Sequence, residues 1–475
     1  MNRAIPGTPI HTTAEIRAIE RAAGDAPLMQ RAGEAAAELA ARLAGDRGKD
    51  VLVLAGPGNN GGDARIAAER LESMFFRVAL AGAPDEIPSG RRWALIVDGL
   101  FGIGLARPLE GRYAELVRYA NAQSCPLLAL DIPSGIESDT GRLLGCAVRA
   151  THTLTFISLK PGLLTLDGPD HCGELSVAGL DLDAGALAAP RGRVAGPDLF
   201  PALLAPRPRN YHKGMAGSLA ILGGADGMVG AALLAGRAAL GLGAGRVYCG
   251  LLAHESIAVD PVAPELMLRH PDEALGLELD AFVAGPGLGQ GGRAETLVAA
   301  AIASELPCVL DADALNLIAQ DENLRRACAR RSAETLLTPH PAEAARLLVT
   351  PTGEVQADRL AAARNLAQNF NAHVVLKGNG SVIAARDGRF FINTSGNPGM
   401  ASAGMGDVLS GILGALLAQG HSGEASLVLG THLHGRAADA LVADGEGPVG
   451  LRAGELIAPA RRIWNGWRTG ASRHG

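Results

Sequence analysis

Val51-Leu52-Val53-Leu54-Ala55 is a short unbroken apolar run that stops at Gly56-Pro57-Gly58 and gives way to a helical pattern over 63–71. A run without polar alternation has no face for solvent, which predicts a strand covered on both sides, as in a parallel sheet whose crossovers are helices. The phrase recurs in Ala94-Leu95-Ile96-Val97-Asp98 and Leu127-Leu128-Ala129-Leu130-Asp131, and restarts at 218–222, 281–284 and 308–311, with an Ala-rich helix expected over 228–242. Helices open the chain: Thr12-Thr13-Ala14-Glu15 has the form of a capping box, Ile16, Ile19 and Ala23 follow at helical spacing, and 28–43 is a second helical run. Strand and helix alternating in this way define an α/β fold.

A chain of 475 residues exceeds one ordinary core, so two or three domains are expected. The boundary falls between about 180 and 209, where Pro190, Pro197, Pro201, Pro206 and Pro208 crowd together. On either side stands one phrase, Ala55-Gly56-Pro57-Gly58 and Ala284-Gly285-Pro286-Gly287, each after an apolar strand. One shared tetrapeptide does not make a repeat; it marks the same physical need, a tight turn at a strand end beside a ligand.

The net charge of −6, with basic residues scattered and no Lys/Arg run interleaved with aromatics, argues against a nucleic-acid surface. The six cysteines lie far apart without C-x-x-C pairs or zinc spacing and read as core thiols. Charges interrupt every long apolar stretch and the N-terminus has no basic flank before an apolar segment, so no membrane partner and a cytoplasmic location are expected.

Two glycine-rich acidic segments carry the chemistry. In Gly399-Met400-Ala401-Ser402-Ala403-Gly404-Met405-Gly406-Asp407 a glycine turn runs into an apolar helix. Glycines admit close approach of an oxyanion, first-turn N–H groups point at it, and Asp407 stands beside them as a candidate base. Gly56-Pro57-Gly58-Asn59-Asn60-Gly61-Gly62-Asp63 matches the dinucleotide fingerprint only formally, because no ribose acid follows at the required distance. Its Asn59, Asn60 and Asp63 suit a cation and a polar substrate better. Ligands of open parallel sheets sit beyond the carboxyl ends of the strands, so Asp98 and Asp131 are expected to face the same crevice as the 56–63 loop. Asn60, Asp98 and Ser134 are then oxygen donors, and Asp131 a candidate acid/base.

Gly56-Pro57-Gly58-Asn59-Asn60-Gly61-Gly62-Asp63, Val97-Asp98-Gly99-Leu100-Phe101-Gly102-Ile103-Gly104 and Leu130-Asp131-Ile132-Pro133-Ser134-Gly135 together resemble the YjeF N-terminal family of NAD(P)H-hydrate epimerases. The downstream half resembles the ADP-dependent NAD(P)H-hydrate dehydratases of the ribokinase-like superfamily, through His212-Lys213-Gly214, Gly285-Pro286-Gly287-Leu288-Gly289, Leu310-Asp311-Ala312-Asp313-Ala314-Leu315-Asn316, Thr338-Pro339-His340-Pro341, Leu376-Lys377-Gly378 and the 396–411 segment. The resemblance implies a Rossmann-like three-layer αβα domain over 1–195 followed by a ribokinase-like α/β domain over 205–475. It implies K⁺ held by Asn60, Asp98 and Ser134, proton transfer by Asp131, and hydrated nucleotide on Asn59, Asn60, Gly61, Gly62, Asp63 and on Gly102, Ile103, Gly104, Leu105, Ala106, Arg107 and Pro108.

In the second domain the resemblance implies substrate contacts at Ala231, Gly287, Gly289, His340 and Asp407, with Asp407 catalytic. ADP with Mg²⁺ would lie on Lys377, Gly378, Asn379, Gly380, Ser381 and Gly406, and a homo-oligomer is expected. Ala64, Ala342 and Ser402-Ala403 depart from the family pattern. The rival reading is a small-molecule kinase of the ribokinase-like superfamily carrying a non-catalytic N-terminal binding domain.

Overall fold

The computed structural model describes residues 2–3 and 6–469, and divides into two compact units, Met1–Val194 and Ala195–Gly475. The first contains β1 (Asn2–Arg3), β2 (Pro9–Ile10), β3 (Asp50–Ala55), β4 (Arg77–Ala81), β5 (Leu95–Gly99), β6 (Leu127–Leu130), β7 (His152–Phe156), β8 (Glu174–Ala178) and β9 (Gly192–Val194). The sheet order is β1-β8-β7-β6-β5-β3-β4, parallel from β8 to β4, with β1 antiparallel at one edge. β2 pairs with β9 antiparallel, Pro9 opposite Arg193.

Alternate side chains of the same strands enter two cores, which makes the unit three layers deep. Val51, Val53, Val97, Leu128 and Leu130 pack with Ile16, Ile19, Ala36, Ala40, Ala64 and Leu71 from the helices Thr13–Ala22, Leu28–Ala44 and Asn59–Ser73. Leu52, Leu54, Ile96 and Ala129 pack on the opposite face against Leu116, Val117 and Ala120 of the helix Gly111–Asn121. The expected capping box forms, Thr12 accepting from Glu15 N–H and Glu15 from Thr12 N–H.

The chain runs from β3 outward to β4, then returns to place β5 on the other side of β3. Order reverses between β3 and β5, so the loops after these strands diverge and leave a crevice there. One expectation is corrected: 59–63 is not loop, because the helix begins at Asn59, with Gly58 as its extended N-cap. Gly61 makes this sharp entry possible, since a Cβ on it would lie 1.9 Å from the Gly56 carbonyl oxygen.

The second unit contains β10 (Ser218–Gly223), β11 (Arg246–Leu251), β12 (Met267–Arg269), β13 (Ala281–Ala284), β14 (Cys308–Leu310), β15 (Thr335–Leu337), β16 (His373–Leu376), β17 (Ser381–Ala384) and β18 (Phe390–Asn393). Its order is β12-β11-β10-β13-β14-β15-β16-β17-β18, parallel as far as β16 and antiparallel through β17 and β18. Ile221, Val283, Val309, Leu336 and Val375 face a core shared with the helices Val229–Gly241, Met405–Ala418, Gly423–Ala443 and Ile457–Thr469. Order reverses again, between β10 and β13.

Both copies of the shared tetrapeptide do the same work. A Cβ at Gly56 would stand 1.8 Å from the carbonyl oxygen of Leu100, and one at Gly285 1.8 Å from that of Asp311. In each case glycine lets the chain leaving the neighbouring strand pass across the turn. The 180–209 stretch is more structured than its prolines suggest, holding the short helix Ala184–Leu187, β9, and 3-10 turns at Pro197–Leu199 and Pro201–Leu204. All six cysteines are free; four are buried, whereas Cys125 and Cys146 are only half-buried. Among the described residues no helix is long and apolar enough to cross a membrane.

Candidate active sites

A cavity of about 630 Å³ opens over the carboxyl ends of β3, β5, β6 and β7, lined by Asn59, Asn60, Asp63, Gly102, Ile103, Gly104, Leu105, Asp131 and Lys160, and walled by Ile16, Arg17, Glu20 and the 26–30 segment. Asp131 takes a left-handed backbone, φ +65°, immediately after β6. Its Oδ1 accepts from the Lys160 ammonium in a short contact, from Phe156 N–H at 3.3 Å and from Thr155 Oγ1 at 3.5 Å. Lys160 is wholly buried and also donates to Thr155 Oγ1 and the Phe156 carbonyl, each at 2.8 Å. A lysine with no water about it keeps its charge only with partners of this kind, so Lys160 and Asp131 form one unit. The other oxygen, Oδ2, faces Gly102, where a Cβ would come within 3.1 Å of it.

Of the residues expected to hold nucleotide, Gly61 and Gly62 shape the helix entry rather than line the cavity; a Cβ on Gly62 would meet Met29 Sδ at 2.7 Å. Ala106, Arg107 and Pro108 are exposed and lie outside its lining. Asp98 departs from expectation too: it is fully buried beneath the cavity instead of facing it. There it accepts from Ser134 N–H at 2.9 Å, Ser134 Oγ at 2.7 Å and Leu100 N–H at 3.2 Å. Burial pushes its carboxyl up to about 6 against these hydrogen bonds. Asn60 donates through Nδ2 to the Leu130 carbonyl at 3.1 Å, while its buried Oδ1 has no partner. A buried amide oxygen without a partner has the chemistry to ligate a hard cation.

The second centre gathers at the carboxyl ends of β14, β15 and β16. Gly404, left-handed at φ +88°, caps the helix Met405–Ala418, so Gly406 and Asp407 fall in its first turn with N–H groups that have no partner inside the helix. Beneath them lies Asp311, buried, accepting from Lys377 Nζ at 3.0 Å and Ser410 Oγ at 2.7 Å. Burial raises the Asp311 carboxyl, but Lys377, Ser410 and Thr338 outweigh it and leave it below its ordinary value. Asp407 is pushed up to about 6 by burial and then by Asp311, with Lys377 opposing.

Gly287 lies against Ala231, its would-be Cβ 3.1 Å from that of Ala231, and Gly289 N–H donates to Asp313 Oδ2 at 2.9 Å. Lys377 to Ser381 turn through Gly378 at φ +144° and Gly380 at φ +60°, with Ser381 Oγ donating to the Gly378 carbonyl at 2.9 Å. Arg359 is buried under this turn and donates to the carbonyls of Leu376 and Lys377. His340 is not simply a loop histidine between prolines. It caps the helix Pro341–Leu348, its Nδ1 accepting from Ala342 and Glu343 N–H, with Nε2 3.3 Å from Glu343 Oε1.

Sequence reasoning missed Lys160 and Glu20 in the first unit and the part played by Asp311, Ser410 and Arg359 in the second. Lys160 lies in the loop after β7 as Asp131 lies after β6, and that position was the available signal. Ala64, a departure from the family pattern, is buried with its Cβ against Gly99, where an added Cβ would come within 2.3 Å. The side chain fits because its neighbour is glycine.

A family model described as NAD(P)H-hydrate dehydratase matches residues 219–457, and one described as YjeF-related protein N-terminus matches 25–91 and 81–162. The bifunctional NAD(P)H-hydrate repair enzyme Nnr of Escherichia coli (strain K12) is 38% identical over 489 residues, covering 95% of this chain and 93% of its own. The protein of the same name from Coxiella burnetii (strain RSA 493 / Nine Mile phase I) is 36% identical over 499 residues, covering 96% of this chain and 100% of its own. A solved ribokinase-like superfamily protein of Enterococcus faecalis V583 matches with a TM-score of 0.51 at 23% identity, over 58% of this chain and 96% of that one.

The class is thus an α/β protein in which a parallel-sheet unit with an acid–lysine cavity precedes a ribokinase-like unit. The chain belongs to the family of bifunctional NAD(P)H-hydrate repair enzymes.

Proposed function

We propose that this chain epimerises the R and S hydrates of NADH and NADPH in a domain over 1–195 and dehydrates the S form at the expense of ADP in a domain over 205–475. The observation that carries the reading is that two separate carboxylates, Asp131 beside Lys160 and Asp407 on a glycine-capped helix start, stand in two different units. A hydrated nicotinamide bears a hydroxyl at C6 next to ring nitrogen N1. The nitrogen can expel it, leaving an iminium that water re-enters from either face. Such a reaction needs a proton-handling carboxylate in a pocket that shields the cation, and Asp131 with Asn59, Asn60, Asp63 and the 102–105 loop supplies it.

Dehydration is harder because hydroxide leaves poorly, so activation by a phosphate of ADP is chemically sensible: the hydroxyl attacks the β-phosphorus and displaces AMP, and the C6–O bond then breaks to release phosphate as a C5 proton is lost and the ring double bond forms. Asp407 takes the hydroxyl proton, the N–H groups of the 404–406 turn meet the phosphoryl oxygens, and Lys377 with the 378–381 turn holds the nucleotide. Ala231, Gly287, Gly289 and His340 border the hydrated ring in this reading. Asp311 already accepts from Lys377 and Ser410, and Mg²⁺, when bound with the nucleotide, would supply positive charge for the phosphoryl oxygens.

In the first unit K⁺ fits Asn60, Asp98 and Ser134, where the unpartnered Asn60 Oδ1 is a neutral ligand and Asp98 the single charge. When bound it would supply a fixed positive charge to this end of the cavity. A homo-oligomer working in the cytoplasm completes the proposal. Incubating the full chain with a mixture of R and S hydrates and following NADH absorbance with and without ADP tests it. Return of the whole mixture, dependent on ADP, is expected. Turnover of ATP with a small alcohol and none with the hydrates would favour the kinase reading.

A further inference from the structure

Epimerisation asks for two opposite proton transfers. The departing hydroxyl must gain a proton, and the incoming water must lose one. Asp131 suits the second task better than the first, because Lys160 fills its Oδ1 and holds it as an acceptor, with Oδ2 left toward Gly102. The structure supplies another carboxyl for the first. Asp63 is only 8% exposed, lines the same cavity, and comes from the first turns of the helix Asn59–Ser73, a different wall from the strand end that carries Asp131.

We propose that Asp63 is a second catalytic residue of the first unit, the acid that protonates the leaving hydroxyl while Asp131 is the base that deprotonates the entering water. The proposal rests on the epimerase reading above. The C6–O bond breaks as the N1 lone pair forms the C6=N1 double bond, and the hydroxyl leaves as water with the proton of Asp63. Water on the other face then forms the new C6–O bond, gives a proton to Asp131, and returns the electron pair to N1. One proton has moved from Asp63 to Asp131, so the enzyme emerges in the form that acts on the opposite epimer, and exchange with solvent resets it.

The surroundings favour this division. Arg17 and Glu20 of the helix Thr13–Ala22, Asp131 beyond β6 and Lys160 beyond β7 are the charged groups that line the cavity with Asp63; the 26–30 segment that closes it carries no charge, and Asp98 of β5 lies beneath, occupied by Ser134. Burial first, then Asp131 and Glu20, push the Asp63 carboxyl up to about 7, with Lys160 opposing. A carboxyl in that range carries its proton near neutrality and can yield it, which is what a general acid requires.

The test is Asp63→Asn in the full chain, which keeps shape and polarity and removes the proton. Consumption of purified R hydrate, read through the chain's own ADP-dependent dehydratase, gives kcat and KM across pH, and turnover of S hydrate reports folding. The expected result is a fall in epimerase kcat of about 100-fold or more with KM within about threefold, S-hydrate turnover unchanged, loss of the alkaline limb that the unaltered chain shows above about pH 7, and partial recovery in Asp63→Glu. An unchanged kcat, or a raised KM with kcat intact, would show that Asp63 only binds and would overturn the proposal. Should Asp63→Asn fail to fold, Asp63→Glu decides alone: a shifted alkaline limb supports the assignment and an unmoved one refutes it. If the unaltered chain turns over S but not R hydrate, the epimerase reading itself fails and takes this proposal with it.

Discussion

Lys377 Nζ donates to Asp311 Oδ1 at 3.0 Å, and a Cβ placed on Gly406 would stand 3.3 Å from that nitrogen. The lysine expected to clamp a nucleotide is thus held by a buried carboxylate under the turn proposed to receive the phosphates. Its two duties can be separated. Lys377→Ala should weaken ADP binding by about 10-fold or more and also destabilise the protein by about 3 kcal/mol, because Asp311 keeps a buried charge without its partner. Lys377→Ala combined with Asp311→Asn should recover much of the stability and none of the affinity, measured by thermal unfolding and by calorimetry with ADP. Recovery of affinity in the double variant would mean that Lys377 is only a structural counterion.

In the first unit, Lys160→Met removes the one ammonium that Asp131 touches while preserving length and apolar bulk. Asp131 then stays largely buried without the charge partner and hydrogen bond that hold it in place, so epimerase turnover should fall by about 100-fold or more. Turnover of S hydrate should be near normal. Equal loss of both activities in folded protein would contradict two independent centres.

Six strands, at 51–55, 94–98, 127–131, 218–222, 281–284 and 308–311, were readable because an apolar run has one stable placement in a chain of this type, buried between helices. The first helix was readable to the residue, since the side chains of Thr12 and Glu15 satisfy its end locally. What sequence left out depends on pairing across the sheet. Asp98 was expected to face the crevice of the 56–63 loop with Asp131, yet it is buried outside the cavity lining, where Ser134, from the loop after β6, hydrogen-bonds it. Lys160 was not singled out, because a place after a strand end does not show that Thr155, the Phe156 carbonyl and Asp131 converge on its ammonium. Asp311 shows the same limit: its partner Lys377 is 66 residues away in sequence.

The unpartnered Asn60 Oδ1 makes the cation proposal measurable without activity. Replacing tetramethylammonium by K⁺ at constant ionic strength should raise the melting temperature, since a ligand bound by the native state alone stabilises it by mass action. Asn60→Ala should abolish that increment, with an intrinsic cost of about 1 kcal/mol for the lost bond to the Leu130 carbonyl. An increment of equal size in the variant would remove Asn60 from the ligand set.

Asp407 sets activity against stability. Burial, then Asp311, raise its carboxyl from 3.8 to about 6, so the folded chain binds this proton more tightly than the unfolded chain does. The stabilisation from that proton is complete below the unfolded value, near 3.8, and is lost as pH rises through about 6. Above that pH the folded protein carries a strained anion worth up to about 3 kcal/mol. The same anion is the base in the proposed dehydration. ADP-dependent turnover of S hydrate should therefore climb with pH through about 6 as Asp407 ionises. Asp407→Asn should abolish it while leaving the first unit's activity in place. The variant should also melt at a higher temperature than the unaltered chain at pH 8, and the gap should close toward pH 4. A variant that melts lower at pH 8 would show that Asp407 is stabilised as an anion, and the raised carboxyl would then be the wrong account of this site.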